Sequence, residues 1–261
     1  MDVVSQRAGG AVRAVLETRS LVKRFGGLAA TNDVTLSVER GARHALIGPN
    51  GAGKTTLINL LTGVLEPTAG AILLDGDDIT RLAPHLRVRR GMVRTFQITQ
   101  LFQSLTPLSS LALAVSVHRG ESAGGWRRLG SDAGVAAECE TLLDRFRLVD
   151  VMEQPVHALA YGKRRLLEIA MAFACAPRVL LLDEPVAGVP EGERQEIFET
   201  ISALPADVSI LLIEHDMDLV FNFARTVTVL VNGAVFAEGD VDTVSNDPRV
   251  KAVYLGEDAH A

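Results

Sequence analysis

Apolar residues in this chain fall in short, well-separated runs whose spacing changes along its length. Val15 to Val22 reads as a first strand. From Val34 to Val38 apolar and polar positions alternate, the period-two pattern of a strand with one buried face. Ala45-Leu46-Ile47 is a continuous apolar run bracketed by Gly41 and Gly48, as expected of a strand buried on both faces. Ala71 to Leu74 is another short strand, ended by the turn signal Asp75-Gly76-Asp77-Asp78. Between Gln100 and Ala174 strand-like runs vanish, and helical spacing dominates Val135 to Phe146 and Gly162 to Ala174. Arg119 to Gly134, rich in Gly, Ser and Arg, separates these two as an exposed loop. Strand character returns at Val179 to Leu182, Ser209 to Ile213 and Val227 to Val231, each followed by a helical or turn segment. The pattern predicts an α/β fold whose strand-rich part is interrupted by a helical insert.

Composition narrows this. The chain has 261 residues, 48% hydrophobic and 22% charged, which suits one large α/β domain with ample core. We expect that domain to span residues 14–256, with the helical part at about 100–175, a disordered tail at 1–13 and a short tail at 257–261. The net charge of −6 argues against nonspecific nucleic-acid binding, so no nucleic-acid partner is expected. No run approaches the roughly 18 apolar residues that cross a bilayer. Residues 1–13 are polar, glycine-containing and lack an apolar signal core, so a cytoplasmic protein is expected. Cys139 and Cys175 have no metal-type spacing and read as ordinary reduced thiols.

The most informative stretch is Gly48-Pro49-Asn50-Gly51-Ala52-Gly53-Lys54-Thr55-Thr56. It fits the phosphate-binding loop pattern of two glycines five apart, then Lys and Ser/Thr. Such a loop aims backbone N–H groups at phosphate oxygens, Lys54 adds a point charge for the β- and γ-phosphates, and the Thr55 hydroxyl can reach Mg²⁺. A helix starting near Lys54 points the positive end of its dipole at the same anion. Leu57, Ile58, Leu60 and Leu61 give that helix its apolar face. A second acidic element follows Val179-Leu180-Leu181-Leu182: Asp183 and Glu184 stand at a strand's C-terminal end, where open α/β sheets bind ligands. Asp183 suits the metal, usually through water, and Glu184 the general base that polarises the attacking water.

The phosphate loop, then Gln97 in Arg94-Thr95-Phe96-Gln97, Leu159-Ala160-Tyr161-Gly162-Lys163, Asp183-Glu184 and His215 together resemble an ABC transporter ATPase in order and spacing, from about Val15 to Gly256. The resemblance implies a P-loop NTPase of the ABC type, with an inserted helical subdomain and an antiparallel β part near the N-terminus. It implies ATP and Mg²⁺ as cofactors and Thr55, Gln97 and Asp183 around the metal. Phe25, ahead of Gly26-Gly27, matches the aromatic that stacks on adenine. Gln97 matches the glutamine that touches Mg²⁺ and water and links the site to a membrane partner, and His215 the switch residue on the γ-phosphate. Gly162, in the signature Ala160, Tyr161, Gly162 and Lys163, would serve nucleotide on a second subunit, so activity would require a dimer.

The sequence also departs from that family. Ala160 stands where serine is expected, and without a hydroxyl it cannot donate to the γ-phosphate. Lys163 stands where glutamine is expected, and we expect it to replace part of the missing contact. Pro190 stands where an Asn or Asp usually begins the next helix, leaving that helix without a good N-cap. Lys23 to Leu28, Ile213 to Asp218, Asn246 to Val250 and Tyr254 to Glu257 resemble the ATPases of branched-chain amino-acid importers. That implies a second ATPase subunit, integral-membrane permease subunits and a solute-binding protein, with the chain on the cytoplasmic face of the inner membrane. Urea and amide importers share the pattern; a lipopolysaccharide-type exporter ATPase and a hydrolysis-weak nucleotide-binding subunit are the alternatives.

Overall fold

A computed structural model describes residues 14–95, 101–120 and 132–258 of the chain, with side chains described as far as residue 253. The expected tail at 1–13, the glutamine Gln97 and most of the Arg119 to Gly134 loop lie outside the described residues. The strands are β1 Ala14–Phe25, β2 Leu28–Glu39, β3 Arg43–Ile47, β4 Ala69–Leu74, β5 Asp77–Asp78, β6 Met92–Arg94, β7 Val179–Asp183, β8 Ser209–Ile213, β9 Thr226–Val231 and β10 Ala234–Asp240. The helices are α1 Lys54–Thr62, α2 Pro84–Arg89, α3 Pro107–His118, α4 Ala133–Arg145, α5 Tyr161–Phe173, α6 Glu191–Ser202, α7 Met217–Phe223, α8 Val241–Asn246 and α9 Pro248–Asp258.

Two sheets form. A four-stranded sheet in the order β2-β1-β4-β5 is antiparallel throughout, β1 and β2 joined by the tight turn at Gly26-Gly27. A six-stranded sheet runs β10-β9-β3-β8-β7-β6, parallel except for β10 at its edge. The inner strands β3, β7 and β8 are buried on both faces, as their continuous aliphatic runs require. Successive side chains point to opposite faces of a strand, so the residues divide between two cores. Leu46, Leu181, Leu211 and Ile213 pack with α1 and the antiparallel sheet. Ala45, Ile47, Leu180, Leu182, Ile210 and Leu212 pack with the helices, including Leu166, Leu167 and Ala170 of α5.

The apolar face of α1 is buried as its spacing predicts, at Leu57, Ile58, Leu60 and Leu61. Its last turn is closed by a residue distant in sequence. Arg87, buried in α2, donates to the carbonyls of Leu60 (2.7 Å), Leu61 (2.5 Å), Thr80 (2.8 Å) and Leu82 (2.8 Å). Two boundaries need correcting. α4 begins at Ala133 because the Asp132 carboxylate accepts from the N–H groups of Gly134 and Val135, so Gly134 belongs to the helix and not to the loop. α9 continues through Gly256 to Asp258, so residues 257 and 258 are helical and not tail. Glycine costs a helix about 1 kcal/mol without necessarily ending it.

Candidate active site

Strands β3, β8 and β7 are neighbours and parallel, so three of the expected motifs leave the sheet at the same edge. Leu46 pairs with Ile213, and Ile213 with Asp183, which puts these three residues at one level across the sheet. Gly48 lies two residues beyond that level, His215 two and Glu184 one. The phosphate loop, His215 and the acidic pair thus converge through strand register alone.

The loop from Gly48 to Gly53 connects β3 to α1, and Lys54 is the first residue of the helix. The loop turns at Pro49 and Ala52, where the Ala52 N–H donates to the Pro49 carbonyl at 3.1 Å, while Asn50 and Gly51 are exposed. Gly53 has φ +100°, and a Cβ there would come within 2.4 Å of the Ala30 carbonyl oxygen, so glycine is required on both counts. No side chain caps α1, which leaves its first N–H groups turned toward the loop's concavity. The Lys54 ammonium arches back over the loop and donates to the carbonyls of Gly48 and Pro49, the latter at 3.0 Å. Thr55 is exposed and Thr56 half-buried in that first turn. Phe25, at the end of β1, is 49% exposed, with the Lys23 ammonium 5.2 Å from its ring centre.

Asp183 is buried at the end of β7, and its carboxylate accepts from Arg94 at 2.6 Å. The same guanidinium donates to Asn59 of α1 at 2.8 Å, so Arg94 ties the acidic strand to the helix of the phosphate loop. Glu184 is a non-glycine residue in the left-handed region, φ +45°, and its N–H donates to the Ile213 carbonyl at 2.9 Å. His215 is exposed on the loop after β8. Its neighbour Glu214 is buried: one carboxylate oxygen accepts from the His215 N–H at 3.2 Å, and the other has no partner among the described residues. Burial pushes the Glu214 carboxyl above its ordinary range; the N–H and charge of His215 and the N–H of Val186 oppose this, and the Glu184 charge adds to it.

The signature segment begins α5, with Ala160 at its uncapped N-cap position and Tyr161 exposed beside Gly188. Lys163, expected to replace part of the missing serine contact, would have to exchange partners within the chain to do so. Its ammonium is already engaged within the chain, with the Arg147 carbonyl at 2.6 Å, Glu196 at 3.3 Å and Asp150 at 3.4 Å. Arg164 donates to the carbonyls of Leu159 and His157, and Arg165 is buried with Glu168 at 2.8 Å. The basic start of α5 is therefore spent on internal acceptors. The Gly162 N–H donates to Glu193 of α6 at 2.6 Å, and a Cβ on Gly162 would lie 2.5 Å from that carboxylate. α6 itself starts behind Pro190 with no side-chain cap. Arg94, Arg165, Glu193 and Glu214 escaped sequence reasoning because each acts through partners 18 or more positions away or through burial, and only their places inside motifs could have flagged them. Cys139 and Cys175 are free, and burial raises both thiols, in keeping with ordinary reduced cysteines.

A glycine-turned phosphate loop and an acidic strand end on parallel strands separated only by β8 define a P-loop nucleotide-binding protein. Residues 31–187 match the ABC transporter family, and residues 234–260 the branched-chain amino acid ATP-binding cassette transporter family. The chain is 40% identical to the high-affinity branched-chain amino acid transport ATP-binding protein BraF of Pseudomonas aeruginosa, covering 94% of this chain and 99% of that one. It is 39% identical to LivG of Escherichia coli, also a high-affinity branched-chain amino acid transport ATP-binding protein, over 93% and 98% of the two chains. An ATP-binding cassette of an ABC transporter in its ADP conformation superposes with a TM-score of 0.83 at 33% identity, over 93% of this chain and 99% of that one. A nucleotide-free cassette gives 0.81 at 32% identity, over 92% and 98%. The chain belongs to the ABC transporter family and is an ATP hydrolase whose turnover is coupled to transport.

Proposed function

We propose that this chain is one of two ATPase subunits of an importer for branched-chain amino acids or closely related small polar solutes. It sits on the cytoplasmic face of the inner membrane beneath permease subunits that receive solute from a binding protein. No described helix is long and apolar enough to cross a membrane, which fits a subunit held there by its partners. The cassette occupies residues 14–258, with the helical subdomain at about 100–175. The convergence of the phosphate loop, Asp183-Glu184 and His215 at one sheet edge carries the ATPase reading. The match over residues 234–260 favours the importer over an exporter.

In this reading the loop N–H groups and Lys54 hold the β- and γ-phosphates, and Phe25 stacks on adenine. Mg²⁺ would be held by the Thr55 hydroxyl, Asp183 and Gln97. No cluster of three or more His, Cys, Asp or Glu that could cage a metal occurs among the described residues. That donor set suits Mg²⁺, which binds through one or two carboxylates plus substrate phosphates. The ion would neutralise charge on the transferring phosphoryl group. Glu184 accepts the proton of the attacking water, and His215 contacts the γ-phosphate. Ala160, Tyr161 and Gly162 complete the partner's site, and Gly162 must exchange Glu193 for phosphate to do so. An apolar hollow of about 370 Å³, lined by Val64, Val88, Leu101 and Met171 among others, borders residues 94, 95 and 101 on either side of the Gln97 segment. It offers the permease a seat next to the site. In proteoliposomes holding the assembled transporter, we expect Glu184→Gln to trap ATP and to abolish uptake of labelled leucine, isoleucine and valine. Wild-type turnover in that variant removes Glu184 as the base; uptake of urea but not leucine removes branched-chain amino acids and leaves the related small solutes.

A further inference from the structure

Glu184 adopts a backbone conformation that L-residues rarely hold, φ +45°. Such conformers cost roughly 1–3 kcal/mol and persist only where surroundings over-determine them. Two backbone bonds hold it, from the Glu184 N–H to Ile213 and from the Ala187 N–H to the Glu184 carbonyl, and one side chain adds to them. Arg165 is 4% exposed, and its guanidinium donates to three consecutive carbonyls: Asp183 at 3.0 Å, Glu184 at 3.0 Å and Pro185 at 2.9 Å. In an extended strand successive carbonyls point opposite ways, so three in a row can converge on one cation only if the backbone turns between them. The left-handed step at Glu184 is that turn. A planar fork with several fixed N–H groups matches such a cluster, whereas an ammonium acts as a single point charge. Glu168, half-buried beside it at 2.8 Å, balances the charge.

We infer that Arg165 is the positioning residue of the hydrolytic step: it holds the left-handed turn at Glu184 and so sets the direction in which that side chain leaves the backbone. It also stands one helical turn beyond Gly162, so the segment that would complete the partner's site and the group that acts on this chain's own nucleotide are tied through one guanidinium. The inference rests on the reading of Glu184 as the base.

The test compares Arg165→Lys, Glu184→Gln and the double variant in the assembled transporter, with ATP affinity and thermal midpoint measured on each purified chain. Displacing a reacting group by about 1 Å can cost on the order of a hundredfold in rate. We expect Arg165→Lys to bind ATP within about twofold of wild type and to hydrolyse it roughly thirty- to a hundredfold more slowly in single turnover. In the Glu184→Gln background the same change should slow the residual rate no further, because both act through one group. Arg165→Lys at wild-type rate beside an inactive Glu184→Gln overturns the inference and leaves the base in place. So does an equal slowing in both backgrounds, or a parallel loss of ATP affinity. Glu184→Gln at wild-type rate removes the underlying reading instead. If Arg165→Lys does not fold, Arg165→Gln with Glu168→Gln, which leaves no lone buried charge, carries the same expectation.

Discussion

His44, the second residue of β3, is buried within the strand that feeds the phosphate loop and carries a pH dependence that its sequence does not advertise. Its Nε2 lies 2.7 Å from the Thr228 hydroxyl, which itself donates to Glu238 at 2.7 Å. That leaves Nε2–H as the donor to Thr228 and the ring neutral. Burial lowers the imidazole from its ordinary 6.5 to about 4. Between those values the unfolded chain binds a proton that the folded chain refuses, so stability falls as pH drops from 6.5 toward 4, by about 3 kcal/mol in all. We expect the thermal midpoint to fall by roughly 4–8 °C between pH 7 and pH 5. His44→Leu should flatten that part of the profile, and calorimetry across the range checks it. At this scale the sequence was legible where a residue acts through its neighbours in the chain, as along Gly48 to Thr56. It was silent on the partners of Lys163, whose long side chain finds two carboxylates and a carbonyl supplied by other elements.

Among the elements, the helix starts differ in how they are satisfied. α4, α7 and α8 are capped by their own Asp132, Asp216 and Asp240. α5 has no such residue and borrows Glu193 from α6. Glu193→Ala should lower stability by about 1 kcal/mol, the usual worth of a lost cap. It should also free the Gly162 N–H, so ATP-driven association in a Glu184→Gln background should tighten, as sedimentation would report. Unchanged or weaker association would mean that the carboxylate does not compete with phosphate. Most strands followed directly from aliphatic runs, because a strand buried on both faces needs them. β10 did not, since its burial is only partial, although Asn232-Gly233, with φ of +50° and +78°, is a hairpin signal that could have found it. β6 is three residues long and owes its place to pairing with β7.

For the whole molecule, the apolar hollow beside residues 94, 95 and 101 tests the proposed coupling. Met171→Glu should leave ATP binding unchanged while the permease no longer co-purifies and uptake is lost; retained co-purification would place the permease elsewhere. The amino-acid sequence by itself determined most of the strands, the helical insert, the phosphate loop and the acidic pair, because each depends on residues within a few positions of one another. Only the tertiary structure decided that Arg87 closes α1, that Arg94 holds Asp183, that Arg165 gathers three carbonyls around Glu184 and that Glu193 occupies the Gly162 N–H. Those contacts span separations of 18 to 89 residues, and a charged side chain's partner is settled by which element folds against it.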